Sequence, residues 1–258
     1  MDLRYYSLRQ SQVSLLWRLI ILLYIASILP LQAQCQVLYN GSLNTFPASQ
    51  GWTSVSFASS SSLSSGSVIF DSTFSGNNGL GGFSRNDYIL NINDGYTLTL
   101  DLQILSESHF STDRAGISFI ALSSDLRGVE LGFWADEVWA QNDTPTLFKH
   151  GEGAVINTIS KQHMYTIQFS SSGYHVFADG NAIPILNGAL RNYSAFGTPY
   201  NIPNFLFIGD NTRSAQGRFA LSSLTLSASA PEPSVLGLLI PALGMIGISG
   251  FLSGRRRF

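Results

Sequence analysis

Between residues 36 and 230 apolar positions recur in short alternating runs, and no run keeps a helical three-to-four spacing for any length. Alternation sends successive side chains to opposite faces of a strand. YTLTLDLQIL, Tyr96 to Leu105, sets Leu98, Leu100, Leu102 and Ile104 on one face. AGISFIALS and GVELGFWADEVWAQ predict two further strands, divided by the turn-forming SDLRG. In MYTIQFSSSGYHVFADGNAIPI, Met164 to Ile185, three β-rich runs are punctuated by Ser171-Ser172-Gly173 and Asp179-Gly180. That is a meander, because Asp-Gly accepts the positive φ angles of a tight reversal. NFLFIGDNT and GRFALSSLTLSA predict two closing strands. In the last, Phe219 and Leu221 fall out of phase with Leu224 and Leu226, which predicts a bulge at Ser222 and Ser223. The biased stretch FASSSSLSSGS, Phe57 to Ser67, fits either a flexible loop or a serine-rich edge strand. About a dozen strands without helices predict an all-β fold, an antiparallel two-sheet jelly-roll sandwich.

The pattern changes at both ends. Residues 1–18 are basic, LIILLYIASILPL from Leu19 to Leu31 is apolar, and Ala33 is a small residue suited to cleavage. This predicts a signal peptide over 1–33 and an exported domain over 34–230. An uncleaved anchor is the alternative, because Leu31 stands where a small residue is usual. At the other end residues 235–252 are uncharged and largely apolar. As a helix they would reach about 27 Å at ~1.5 Å per residue, enough to span a bilayer. Arg255, Arg256 and Arg257 follow and would stay on the cytoplasmic side, leaving everything before Pro231 outside.

A plain anchor has no use for the residues just before this helix, Pro231, Glu232, Pro233 and Ser234. Proline restricts itself and its predecessor, so the motif would present an extended segment at the membrane surface. With the helix and the arginine cluster, the tail 231–258 resembles the PEP-CTERM sorting signal of bacterial surface proteins. That resemblance implies an exosortase as processing partner, membrane anchoring of the precursor, and a final location at the cell envelope, the cell surface or in extracellular polysaccharide.

Composition narrows the chemistry. Only 12% of residues are charged, so polarity comes from hydroxyls and amides. Setting aside the six terminal arginines, Asp2 and Glu232, the middle keeps 8 of 14 Lys+Arg and 14 of 16 Asp+Glu, a formal −6. Nucleic-acid binding needs a basic stripe, and none is present. Cys35 is the sole cysteine, which excludes an internal disulfide and a thiolate zinc site. It lacks the small and aliphatic residues of a lipidation signal, having Gln34 and Gln32 in those places.

Motifs of chemistry are sparse. Gly116-Ile117-Ser118-Phe119-Ile120 lacks the second glycine of a nucleophile elbow. GNNGLGGF from Gly76 has no lysine or helix after it and reads as a loop. His109, His150, His163 and His175 never take the spacing of a helical metal pair, so no metal or cofactor is assigned. The oxygen-rich loops at Asp87, Asp94 and Asp210 are where a calcium ion would sit.

The hairpin YHVFADGNAI and the final FIGDN…GRFALSSLTL, set to pair with the domain's first strand, resemble the concanavalin A-like lectin/glucanase superfamily over residues 37–228. DRAGISFIALSSDLRGVELGFWADEVWAQ is similar to a segment of exported PEP-CTERM proteins of this kind. Some superfamily members hydrolyse glycans with an E-x-D-x-x-E strand motif. Here Glu130 is followed by Gly132 where that motif has Asp, while Asp136 and Glu137 are adjacent and would face opposite ways. The expectation is therefore a noncatalytic surface or matrix protein that binds polysaccharide. Trp134, Trp139, Tyr193 and Tyr200 are the candidate stacking rings, and Asp136, Asn142 and Asn211 the polar partners. The alternatives are a divergent glycan hydrolase or lyase and a purely structural matrix component.

Overall fold

The alternating runs become strands. A computed structural model describes residues 35–73 and 79–228; the segment 1–33 and the tail 231–258, with its motif and apolar run, lie outside the described residues. The strands are β1 (Cys35–Asn40), β2 (Thr53–Phe57), β3 (Ser60–Ser64), β4 (Ser67–Asp71), β5 (Leu80–Arg85), β6 (Tyr96–His109), β7 (Ser118–Leu122) and β8 (Gly128–Phe133). They continue as β9 (Glu137–Asn142), β10 (Lys149–Val155), β11 (His163–Ser170), β12 (Gly173–Ala178), β13 (Leu186–Gly188), β14 (Leu206–Asp210) and β15 (Ala215–Ala228).

Two antiparallel sheets result. One runs β13-β12-β11-β6-β15-β4-β3, with β1 also on β15; the other runs β10-β9-β8-β7-β14-β5-β2. The expected two-sheet sandwich is what forms. Leu98, Leu100, Leu102 and Ile104 of β6 are fully buried against Phe119, Leu131, Phe133 and Ile208 of the opposite sheet. Burying such side chains contributes roughly 1.5–3 kcal/mol each, which outweighs any local preference.

The predicted bulge has a structural reason. The register of β15 against β6 shifts between Leu221 and Ser223. On its other edge β15 pairs with β4 up to Leu221 and with β1 from Ser223 onward. The extra residue thus sits where one neighbour hands over to the next, and Ser222 is held there by a 2.7 Å hydroxyl contact with Ser67. The Asp179-Gly180 turn is also present, with both φ angles positive and Asn181 N–H donating to Ala178 O at 3.1 Å.

Three expectations are corrected or resolved. GVELGFWADEVWAQ is a hairpin, β8 and β9, reversing at Trp134–Asp136 with Trp134 N–H donating to Glu137 O. Of GNNGLGGF, Leu80 to Phe83 belong to a strand rather than a loop. Its glycines let β5 and β14 approach: at Gly82, φ is +152° and a Cβ would come within 2.3 Å of Ile208 O. The serine-rich stretch resolves as the edge strand, since β3 turns into β4 through Ser65 and Gly66, whose φ angles are 45° and 82°.

Candidate functional site

The second sheet carries apolar side chains on both faces. Those of β7 and β14 that turn away from the sandwich core, Ile120, Leu122 and Phe207, need a cover, and the segment 189–205 supplies it with Tyr193, Tyr200 and Phe205. Backbone bonds fasten this strap at both ends, Arg191 pairing with Gly128 and Leu122 N–H donating to Phe205 O at 2.8 Å. In the middle, Tyr193 accepts from Glu130 N–H at 3.3 Å and donates to Gln141 O at 2.7 Å.

Beside the strap the outer face opens into a cavity of about 310 Å³. Its floor is Glu130 of β8 and Gln141 of β9; its walls are Arg114, Phe148, Phe196, Tyr200 and the loop Asn211–Arg213. Small-molecule sites begin at about 300 Å³. The Tyr200 hydroxyl donates to one Glu130 oxygen at 2.6 Å, and Asn211 Nδ2 donates to the other at 2.8 Å and to the Tyr200 oxygen at 3.0 Å. Burial pushes the Glu130 carboxyl above the usual carboxylate range, and the hydrogen bonds from Tyr200, Asn211 and Ser118 oppose this only in part. The same burial, with the Glu130 charge, raises Tyr200 well above an ordinary phenol.

Gln141 is 3% exposed; its Nε2 donates to Asp113 O at 3.2 Å, while its Oε1, shielded from solvent, has no hydrogen-bond partner among the described residues. A buried acceptor of this kind costs about 1–3 kcal/mol unless something donates to it. Phe148 closes the wall with a left-handed backbone, φ 57°, costly for a bulky residue and typical of ligand sites. Its ring stacks on Tyr193 at 5.7 Å and meets Phe196 edge-on at 4.9 Å. Phe196 is 59% exposed, an aromatic ring at the cavity edge.

The loop carrying Arg114 is pinned from several sides. The Trp134 indole donates to Arg114 O at 2.8 Å, and the Asp113 carboxylate takes Lys149 Nζ at 2.6 Å and His150 N–H at 3.0 Å. The loop Asn211–Arg213 is shaped by Asp210, which is fully buried and accepts from Thr212 N–H at 3.0 Å. Burial pushes the Asp210 carboxyl up to about 7, with Ser72 and Thr212 bonding against that rise.

Of the residues expected from the sequence, Tyr200 and Asn211 meet at the cavity. Tyr193 lies fully buried beneath it and offers no ring face. Trp139 is corrected likewise: it is 0% exposed, stacked on His150 at 4.4 Å, and its indole fills the space a Cβ at Gly132 would need. The two tryptophans do not share a strand, and their rings lie 5.2 Å apart. Trp134, half-buried and stacked on His109, positions Arg114 rather than offering a platform. Asn142 accepts from Arg191 Nη2 at 3.0 Å, within a network in which Arg191 also pairs with Glu152 and Tyr174 donates to Glu152 at 2.6 Å. Asp136 sits exposed on the β8–β9 turn, away from the cavity wall.

The sequence reading missed Arg114, Gln141, Phe148, Phe196 and Arg213, and met Glu130 only as part of a broken motif. No local pattern marks them, since each is separated from the others by a loop or a whole strand. The three aspartates considered for calcium are otherwise engaged or apart: Asp87 binds Arg85 twice at 2.8 Å, Asp94 takes Asn91, and Asp210 holds the Thr212 turn. Among the described residues no group of three His, Cys, Asp or Glu side chains is placed to hold a metal ion.

No family model matches the chain, and no curated protein does. Solved structures do. The conserved carbohydrate esterase of Shiga toxin-encoding bacteriophage phi24B superposes with a TM-score of 0.53 at 13% identity, over 76% of this chain and 100% of that one. A Bacillus subtilis protein of unknown function with a galectin-like fold gives 0.51 at 8% identity, over 78% and 99%. At these identities the likeness concerns the fold: the chain is a two-sheet sandwich of the galectin and concanavalin A-like kind.

Proposed function

We propose that the domain is a noncatalytic glycan-binding module of an exported surface or matrix protein, with the cavity beside the 189–205 strap as its sugar site. The observation that carries this reading is the exposed Phe196 ring at the edge of a cavity that also holds the polar side chains of Tyr200, Asn211 and Glu130. A sugar presents an apolar C–H face to the ring and hydroxyls to the polar groups. The galectin-like architecture supports the same reading. Against hydrolysis, the two-carboxyl mechanism needs a second acid about 5–10 Å from the first. Glu130 is the one carboxyl among the cavity-lining residues, and the place of the missing motif residue, at Gly132, is filled by the Trp139 indole.

Export through residues 1–33 and exosortase processing at Pro231–Ser234 belong to the same proposal and rest on the terminal sequence. A glycan array with the full-length protein and its Phe196→Ala variant tests the binding part. Retention of sugar by the parent and its loss in the variant is the expected result. Release of product would favour the hydrolase or lyase, and silence would leave a structural component. Mass spectrometry of the mature protein tests the tail, since retained Arg255–Arg257 would refute processing.

A further inference from the structure

The described residues contain eight Lys and Arg side chains, and six of them pair with a carboxylate: Arg85, Arg127, Lys149, Lys161, Arg191 and Arg218. The two without a carboxylate partner among the described residues are Arg114 and Arg213, and both line the cavity. They come from different loops about a hundred residues apart in sequence. Neither is idle in other respects. Arg114 donates from Nη1 to the carbonyls of Asp113 and Phe148 at 2.7 and 2.6 Å, which fix its guanidinium, and its charge also acts on the nearby Asp113 and Glu130 carboxyls without forming an ion pair with either. Arg213 is exposed, its guanidinium 4.9 Å from the Phe57 ring centroid.

We propose that the sugar bound in this cavity carries a carboxylate, so that the ligand is an acidic, uronate-bearing polysaccharide whose anionic group is taken by Arg114 and Arg213. The inference deepens the glycan reading above and rests on it. Arginine suits the task because its planar fork matches a carboxylate and stays charged. The surrounding charge makes the placement more telling. The middle of the chain is formally −6, so its general field disfavours a polyanion, and attraction must be local. Exposed charges are screened beyond about 8–10 Å at ordinary salt, which leaves the two cavity arginines as the groups an incoming carboxylate meets.

Glu130 is the one acid on the floor. Its carboxyl takes two donors from the protein, Tyr200 and Asn211, which satisfy its oxygens and weaken its repulsion of an anion. The polar set then divides into an anion wall, Arg114 and Arg213, and a floor in which Tyr200, Asn211 and Glu130 hold one another.

The test is equilibrium binding of the full-length protein to three probes: a galacturonate oligosaccharide, the same oligosaccharide with its carboxyls reduced to alcohols, and inorganic sulfate. The acidic oligosaccharide should bind at least about tenfold more tightly than the reduced one, a difference that shrinks as salt is raised. Arg114→Gln and Arg213→Gln should each weaken the acidic probe by about tenfold, the loss of one charge-assisted hydrogen bond, and weaken the reduced probe by clearly less. Because Arg213 is exposed, its variant keeps the test valid even if Arg114→Gln disturbs its loop. Equal binding of both oligosaccharides, insensitive to either substitution, overturns the acidic ligand and leaves the glycan reading standing. Binding of sulfate alone, with neither oligosaccharide retained, overturns the polysaccharide and leaves only an anion site. Failure of all three probes overturns the acidic ligand, and the glycan array then decides whether the cavity takes any sugar.

Discussion

Replacing Asp210 by Asn probes the loop that carries Asn211 and Arg213 without touching the cavity itself. The folded domain holds the Asp210 proton up to about pH 7, whereas an unfolded chain releases it near 3.8. Between those values the folded state binds one proton more, so stability is fully kept below about 3.8 and falls as pH rises towards 7. The span is about three pH units, which at ~1.36 kcal/mol per unit amounts to roughly 4 kcal/mol lost from this side chain by pH 8. Asparagine cannot ionise and removes that loss. It also brings an amide into a place where Asp210 Oδ2 has no hydrogen-bond partner among the described residues, a cost of about 1–3 kcal/mol at every pH. The variant should therefore be less stable than the parent at pH 4 and equal or more stable at pH 8. The decisive quantity is the difference between the two proteins, which should shift by up to roughly 4 kcal/mol across that range. Urea denaturation followed by tryptophan fluorescence at several pH values measures it. Glu107, also buried and pushed up, adds a slope of the same sign to both proteins, and taking the difference removes most of it. Parallel pH profiles for parent and variant would mean that Asp210 ionises in the fold as it does in water, contrary to its burial.

Other expectations concern the cavity and its supports. Tyr200→Phe removes the hydroxyl that donates to Glu130 at 2.6 Å, and should cost about 1–2 kcal/mol in denaturation together with a loss of sugar binding. Phe196→Ala, at a half-exposed ring, should leave the melting temperature nearly unchanged and abolish retention on the array. Gly132→Ala places a methyl group within 2.7 Å of the Trp139 indole and should lower stability by about 1–3 kcal/mol; an unchanged denaturation midpoint would show that the ring is free to shift. Trp139→Ala should cost about 3–5 kcal/mol, so sugar binding lost in that variant would report unfolding rather than a lost contact, and denaturation run beside the array tells the two apart.

The strands were legible because each is written locally. The alternating leucines of β6 and the Asp-Gly turn after β12 could be read from a few neighbouring residues, and so could the phase slip at Ser222. The β8–β9 hairpin was not, because Trp134-Ala135-Asp136 contains no glycine or proline to mark its reversal. With that turn unmarked, the sequence offers both tryptophans as stacking rings, and one of them, Trp139, is buried. The site was harder still. Tyr200 and Asn211 stood out as residue types suited to sugars, but nothing near them in sequence says that Glu130 and Gln141 lie beneath them, or that Phe196 is the ring left open.

The sequence alone determined that this chain is a mildly acidic all-β sandwich, since the period of two, the turn residues and the charge count are properties of short segments. It also carries, in its terminal residues, the case for export and sorting. Which polar residues converge, which rings are spent on packing and which described cations lack a carboxylate partner among the described residues emerge from the packing of the sheets. Those are differences between one contact and another across loops far apart in the chain, and a pattern of period two contains no term for them.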